Sequence, residues 1–165
     1  MIIVKKKGYL QYKNFKSPCA LGKAGIGKKK MEGDNITPKG KFRIVKVYYR
    51  KDRIKKIHTK FKLIEIKKNM GWCSDINSKN YNQQIKLPTR FNHEKLYRKD
   101  SLYDIIVFIN YNINPIVKNK GSAIFIHIAK KNFRPTGGCV ELKKEDLIKL
   151  LQIIKKNTSI KIGTN

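Results

Sequence analysis

The chain has 165 residues, of which 40% are hydrophobic, and this suits one globular domain over residues 1–165 rather than a disordered chain. Its 39 Lys and Arg residues against 11 Asp and Glu residues give a formal net charge of +28. A field of this sign favours anionic partners, among them nucleic acid, anionic membranes and cell-wall polymers that carry carboxylates. Abundant Lys, Asn and Ile also indicate a compositional bias, although bias alone does not account for so few acidic residues.

The N-terminal segment predicts a first hairpin, with residues 1–4 and 9–12 as its strands and Gly8 at its turn. Only three consecutive apolar residues, Ile2 to Val4, precede the first lysines. A signal peptide has a longer apolar region, and no window is long enough for a membrane span. We therefore expect no export by the general secretory route.

Residues 22–28 match the first part of a phosphate-binding loop of the pattern G-x-x-x-x-G-K. That motif needs Ser or Thr next and then a helix whose N-terminus meets the phosphates. Here Lys29 follows, and Pro38 soon excludes a long helix. We interpret this segment as a flexible basic loop rather than a nucleotide site.

The middle of the chain predicts mainly strands. Residues 41–49 and 61–66 are rich in β-branched and aromatic side chains, and residues 105–109 form a continuous apolar run typical of a central strand. Residues 69–81 are rich in Gly, Ser, Asn and Asp and predict a loop, in which Trp72 is expected to pack rather than line a cleft.

One amphipathic helix is predicted near the C-terminus. Leu147, Leu150, Leu151 and Ile154 recur at the spacing of one helix face. Acidic residues 145–146 suit its first turn, lysines 155–156 are expected in its last, and Lys143 is a poor N-cap. A short strand through Ile160 and Ile162 is expected to follow.

Residues 122–142 carry the residue types of a thiol-based site. His127 interrupts an otherwise apolar strand, where an unpartnered imidazole would be costly to bury. Cys139 follows two glycines, which let a substrate approach the backbone closely. An imidazole that accepts the thiol proton makes cysteine a nucleophile. A buried structural thiol beside a structural imidazole is the alternative.

The remaining cysteines, Cys19 and Cys73, are interpreted as structural thiols, although one disulfide among the three cysteines stays open. No two His or Cys residues have the spacing of metal ligands, so no metal is expected.

The sequence Thr-Gly-Gly-Cys-Val at residues 136–140, after the strand histidine, resembles the active-site motif of the L,D-transpeptidase catalytic domain (YkuD) family. That motif is a strand histidine followed by Ser/Thr-His-Gly-Cys, a hydrophobic residue and Arg. Residues 32–42 resemble the Thr-Pro-x-Gly-x-Phe hairpin of the family, and residues 71–73 and 102–104 resemble features of a short single-domain subgroup. The resemblance extends from about residue 19 to residue 162.

The resemblance implies a mainly β, mixed β-sandwich-like catalytic domain with one C-terminal amphipathic helix. It also implies a cysteine acyltransferase that acts on peptidoglycan stem peptides through a thioacyl-enzyme, without a cofactor, in cell-wall biogenesis or degradation and cell shape. Cys139 is the expected nucleophile and His127 the proton donor and acceptor, with the backbone N–H groups of Gly138 and Cys139 holding the oxyanion. An amine acceptor gives an L,D-transpeptidase, and water gives an L,D-carboxypeptidase that trims muropeptides.

Two positions depart from the family motif, since Gly137 stands where His is usual and Glu141 where Arg is usual. Arg134 or Arg98 is expected to supply the missing cation, because a carboxylate suits a two-pronged donor. Thr136 and Gly137 are further candidates for substrate contact. The imidazole is also expected to lower the pKa of the Cys139 thiol below about 8.5.

A non-catalytic binder of nucleic acid or another polyanion is the competing hypothesis, supported by the net charge and by interleaved tyrosines. The lysines are spread along the chain rather than grouped in a recognition motif, so nucleic acid is not the predicted partner. Members of the family usually work in the cell envelope, whereas the N-terminus shows no signal peptide and leaves a cytoplasmic location open. The localisation and the oligomeric state therefore stay open.

Overall fold

A computed structural model describes residues 1–164 of the chain and is mainly β, as the sequence predicts. Its strands are β1 (Ile2–Lys5), β2 (Tyr9–Tyr12), β3 (Phe15–Pro18), β4 (Ile26–Gly27), β5 (Thr37–Pro38), β6 (Gly40–Tyr49), β7 (Leu63–Glu65), β8 (Met70–Cys73), β9 (Gln84–Lys86), β10 (His93–Lys95), β11 (Ile105–Ile109), β12 (Phe125–Ile128), β13 (Val140–Leu142) and β14 (Ser159–Thr164). One α-helix, α1 (Lys144–Ile153), lies between β13 and β14, and a short 3₁₀ turn spans Lys131–Phe133.

The main sheet has the strand order β13-β12-β11-β6-β14-β1-β2-β3, with β7 paired to β6. Pairing of β12 with β13 and of β1 with β14 is parallel, while β11 is antiparallel to both of its neighbours. Every residue of β11 is buried, which confirms the central strand expected from its continuous apolar run. The hairpin of β1 and β2 is also confirmed, and Gly8 in its turn has a φ of +79°.

The main sheet is nearly closed into a barrel. Just beyond β3, the Ala20 N–H donates to the Glu141 carbonyl at 3.0 Å, and the Glu141 N–H donates to the Ala20 carbonyl at 3.0 Å. This pair of bonds joins the chain after one edge strand to β13, the strand at the opposite edge. The β13 edge therefore has a backbone partner on each side.

Alternate residues of the central strands enter two different apolar layers. Ile105, Val107 and Ile109 belong to the cluster that contains the buried helix residues Leu147 and Leu151. Their neighbours on β11 belong to a second cluster, rich in aromatic side chains, that packs against the small sheet β10-β8-β9. Because side chains alternate along a strand, the sheet separates a helix layer from an aromatic layer.

The helix confirms the predicted amphipathic pattern, with Leu147, Leu150 and Leu151 buried. Lys143 gives it no side-chain cap, as expected, and acidic residues occupy its first turn. The prediction that lysines 155–156 lie in the last turn is wrong. The helix ends at Ile153 because Ile154 takes up extended backbone to bury its side chain in the core.

The predicted loop at residues 69–81 is corrected in part, since it contains β8, the middle strand of the small sheet. Tertiary pairing with β9 and β10 overrides the low strand propensity of this Gly- and Asn-rich segment. Trp72 on β8 is buried, as expected, and its ring contacts Phe108 and Phe125 with centroid distances of 4.9 and 5.2 Å. The prediction for residues 61–66 is likewise shortened to Leu63–Glu65.

Leu151→Ala should lower the free energy of unfolding by about 2–5 kcal/mol, because it leaves a cavity between α1 and the main sheet. Ile153→Ala, at the 40% exposed position two residues on, should change it by only about 0.5 kcal/mol. Urea denaturation of both variants measures the difference. Equal losses would contradict the assignment of the helix face.

Candidate active site

Cys139 lies at the end of a tight turn that leads into β13. The Thr136 hydroxyl donates to the Cys139 carbonyl at 2.7 Å and accepts from the Gly138 N–H at 3.0 Å. The turn is also held from outside, because the Thr136 N–H donates to the Leu21 carbonyl and its carbonyl accepts from the Lys23 N–H, both at 2.9 Å. Thr136 therefore positions the turn through its backbone as well as its side chain.

Of the two glycines before Cys139, only Gly138 lies where a side chain would clash with its neighbours. Gly138 has a φ of +137°, and a Cβ there would lie 2.8 Å from the Ile36 carbonyl oxygen, so only glycine fits. A Cβ on Gly137 would meet nothing closer than Asn35 Oδ1 at 4.0 Å. The position at which the family motif usually has His is therefore open toward the cavity beside the thiol.

The Cys139 thiol is buried, and it forms hydrogen bonds with two backbone groups, one just before β12 and one in its first residue. Sγ donates to the Ala123 carbonyl at 3.1 Å and accepts from the Phe125 N–H at 3.3 Å. Burial raises the pKa of the Cys139 thiol well above its ordinary value, and the Glu94 carboxylate raises it further. The Phe125 N–H and the Lys29 ammonium lower this pKa by smaller amounts.

His127 occupies the aromatic side of β12, in register with Glu141 on β13. Its Nδ1 lies 3.0 Å from the Ile128 carbonyl, which can only accept, so Nδ1 carries the proton and Nε2 the lone pair. The Tyr103 ring packs edge-on against the imidazole with a centroid distance of 5.0 Å. Burial lowers the pKa of His127 from 6.5 to about 4, and the Arg98 and Lys130 charges act in the same direction.

The thiol and the imidazole are therefore both neutral near pH 7. The sequence-based expectation that the imidazole lowers the thiol pKa below its ordinary value is not met in the free protein. Burial opposes the charged form of each group, and within residues 1–164 no hydrogen bond joins Cys139 to His127.

Glu141, which stands where the family motif has Arg, is buried beside the imidazole. Its Oε1 lies 3.7 Å from His127 Nε2, and its Oε2 accepts from the Lys130 N–H at 3.3 Å. Burial raises the pKa of the Glu141 carboxyl, and the contact with Lys130 lowers it in part. A carboxyl at this position suits a neighbour that becomes positively charged.

Asn82 holds Ala123, the residue whose carbonyl accepts the hydrogen bond from the Cys139 thiol. The sequence analysis did not identify Asn82. Its Oδ1 accepts from the Trp72 indole N–H at 2.9 Å and from the Ala123 N–H at 3.1 Å. Ala123 has a φ of +52°, an uncommon conformation for a residue with a Cβ, and its carbonyl accepts from Cys139. The buried Trp72–Asn82 pair thus positions Ala123, the acceptor for the thiol.

A cavity of about 460 Å³ opens onto both Cys139 and His127. Of the predicted substrate-contact residues, Thr136, Gly137 and Arg98 also line it. Arg134 is exposed on the loop after the 3₁₀ turn and does not line it. The Arg98 guanidinium is held in a two-pronged pair with Asp100 and stacks over Tyr103, with 5.2 Å from Cζ to the ring centroid.

Charged residues distant in sequence also reach this cavity. Glu94, whose pKa is raised by burial, accepts a hydrogen bond from the Tyr103 hydroxyl, and Glu32 accepts one from Tyr81. Lys29 is buried in the cavity wall, so the expected flexible basic loop is corrected at that position. Lys29 can be buried because it forms an ion pair with Asp34. The sequence signal for this pair was Asp34 itself, an acidic residue five positions after Lys29 in a chain with only 11 acidic residues.

The structure places no three His, Cys, Asp or Glu side chains together as a metal-binding group among residues 1–164. All three cysteines are free thiols. None of the helices within the same residues is long and apolar enough to cross a membrane.

The thiol of Cys139, the imidazole of His127 and the carboxyl of Glu141 thus line one cavity. The family profile of the L,D-transpeptidase catalytic domain (YkuD) matches residues 1–162. The chain therefore belongs to the L,D-transpeptidase catalytic domain family, and its mainly β fold with one helix is consistent with that family. None of the curated proteins matches the chain significantly.

Because the Cys139 pKa lies well above neutrality, its alkylation by iodoacetamide should accelerate about tenfold per pH unit between pH 7 and pH 9. Peptide mapping by mass spectrometry gives the rate for each cysteine, with Cys139→Ser identifying the peptide. A rate that is already constant above pH 7 would show that the thiolate is preformed.

Burial of His127 as the neutral imidazole should make stability depend on pH. With a pKa of about 4 when folded and 6.5 when unfolded, the stabilisation is complete above pH 6.5 and is lost as pH falls toward 4. The loss should reach about 2.5 kcal/mol by pH 4.5. His127→Asn, which can keep a donor toward Ile128, should lack this part of the pH dependence in urea denaturation at pH 7.5 and 4.5. Parallel curves for the two proteins would contradict a neutral buried imidazole.

Proposed function

We propose that this protein is a cysteine acyltransferase that acts on peptidoglycan stem peptides, as an L,D-transpeptidase with a thioacyl-enzyme intermediate. The observation that carries the proposal is that Cys139 and His127 line one cavity in a chain that belongs to the L,D-transpeptidase catalytic domain family. The free Nε2 lone pair of His127 and the thiol proton of Cys139 supply the two partners of a proton transfer.

The reaction begins when a stem-peptide carbonyl enters the cavity and the thiol leaves the Ala123 carbonyl. Sγ attacks the carbonyl carbon while its proton moves to His127 Nε2. The C–N bond then breaks, the imidazolium returns the proton to the leaving amine, and a thioester joins the acyl group to Cys139. An acceptor amine attacks the thioester, loses a proton to His127, and the proton passes back to sulfur as the C–S bond breaks.

Two backbone N–H groups are candidates to hold the oxyanion. The Cys139 N–H makes no hydrogen bond within residues 1–164, whereas the Gly138 N–H is already engaged by the Thr136 hydroxyl. We therefore assign the oxyanion first to the Cys139 N–H, with Gly138 contributing when Thr136 releases it. Glu141 stabilises the imidazolium, which an Arg at that position would oppose.

Hydrolysis is the second candidate, with the protein acting as an L,D-carboxypeptidase that trims muropeptides. The observation that favours it is the polar wall of the cavity, in which carboxyls such as Glu94 and Glu141 can hold a water near the thioester. The same Cys139 and His127 would serve both reactions.

The deciding assay incubates the protein with disaccharide-tetrapeptide, with and without an amine acceptor, and identifies products by mass. Loss of the terminal D-residue alone indicates a carboxypeptidase, and a crosslink or D-residue exchange indicates a transpeptidase. Cys139→Ala and His127→Ala should each abolish turnover, and the double variant should be little worse, because the pair acts as a unit. Cys19→Ala removes a thiol outside the cavity wall and should retain turnover. No product from the intact protein under either condition would refute the proposal.

A further inference from the structure

Lys29 presents a buried ammonium to the cavity with one N–H left over. Its side chain is 3% exposed, and Nζ donates to Asp34 Oδ1 and to the Ile36 carbonyl, the latter at 3.2 Å. A lysine ammonium has three N–H groups, so these two bonds leave one donor unused. The Asp34 carboxylate also accepts hydrogen bonds from the backbone N–H groups of Lys30 and Ile36, so it does not neutralise the Lys29 ammonium alone.

Ser122 lines the same cavity, and its hydroxyl has no partner. The residue is 7% exposed, and its Oγ makes no hydrogen bond within residues 1–164. A buried hydroxyl without a partner costs free energy, and buried polar groups are almost always bonded. A ligand that accepts a hydrogen bond from Ser122 in the occupied cavity accounts for this side chain.

Lys29 and Ser122 belong to adjoining parts of the cavity wall. Gly121, the neighbour of Ser122, packs so closely on Lys29 that a Cβ there would lie 2.1 Å from Cε and 3.3 Å from Nζ. Lys29 is also near enough to Cys139 to lower the pKa of its thiol in part. An ammonium and a hydroxyl from two residues that line one cavity can each donate to an oxygen of the same carboxylate.

We propose that Lys29 and Ser122 form a subsite that binds a carboxylate of the acyl donor close to Cys139. This inference rests on the proposed function and assigns to Lys29 the cationic role that the sequence suggested for Arg98 or Arg134. The Arg98 guanidinium is already paired with the Asp100 carboxylate, and its charge lowers the pKa of His127. Arg134 lies outside the cavity wall. A stem peptide offers a terminal carboxylate and side-chain carboxylates, which share the chemistry that this subsite recognises.

The test measures binding rather than turnover. The full chain with Cys139→Ala is titrated calorimetrically with a synthetic stem tetrapeptide and with versions in which one carboxylate at a time is converted to the carboxamide. One amide should bind about tenfold or more weakly than the free acid, since a bond to a charged group is lost, and its position identifies the source of the carboxylate.

When Ser122→Ala or Lys29→Met is added to the Cys139→Ala chain, the amide should bind only about threefold or less weakly than the free acid. Ser122→Ala is the cleaner variant, because it removes a hydroxyl that bonds to nothing in the free protein and should leave folding intact. Lys28→Met, at the exposed position next to Lys29, and Ser101→Ala, at an exposed position outside the cavity wall, are the controls and should preserve the full loss of affinity on amidation.

The outcomes separate this subsite from the proposed reaction. If acid-selective binding depends on Ser122 but the intact protein turns over no stem peptide, the subsite stands and the reaction does not. If the protein turns over stem peptides but all amides bind like the acid, or the full loss of affinity on amidation survives in Ser122→Ala, the subsite is refuted. Absence of any tetrapeptide binding, with both variants indistinguishable from their controls, also refutes it.

Discussion

The paired hydrogen bonds between Ala20 and Glu141 are the constraint on which the site depends. They bring the main sheet close to a barrel, and Leu21 and Lys23, just after Ala20, then bind the N–H and the carbonyl of Thr136. Because Thr136 in turn binds the carbonyl of Cys139, the position of Cys139 depends on this link across the sheet as well as on its own turn. The parallel register of β12 and β13 places Glu141 directly opposite His127.

Electrostatically, the cavity contrasts with the rest of the molecule. The chain carries a net charge of +28 and only 11 acidic residues, yet Glu32, Glu94 and Glu141 all line this cavity. Carboxyls near Cys139 disfavour its thiolate, and cations near His127 disfavour its imidazolium. Both effects add to burial and keep the resting pair neutral.

The two departures from the family motif have different physical consequences. Gly137 leaves space beside Asn35 that a His side chain would enter, which enlarges the cavity next to the thiol. Glu141 exchanges a cation for a carboxyl at the imidazole, and the cationic role passes in our proposal to Lys29, on a different part of the chain. In this interpretation the motif alone understates the site, because the groups that bind and the groups that react come from separate segments.

Much of the local structure follows from the sequence by itself. The continuous apolar run of β11, the helix face of α1 and the Cys139–His127 pair were predicted because side-chain period and the family motif are encoded within short segments. Tertiary structure decided the rest. It converted the Gly- and Asn-rich segment around Trp72 into the middle strand of a sheet, and it brought Lys29 into the cavity wall. It also reversed the expected direction of the thiol pKa, since desolvation is a property of the packed fold and not of neighbours in sequence.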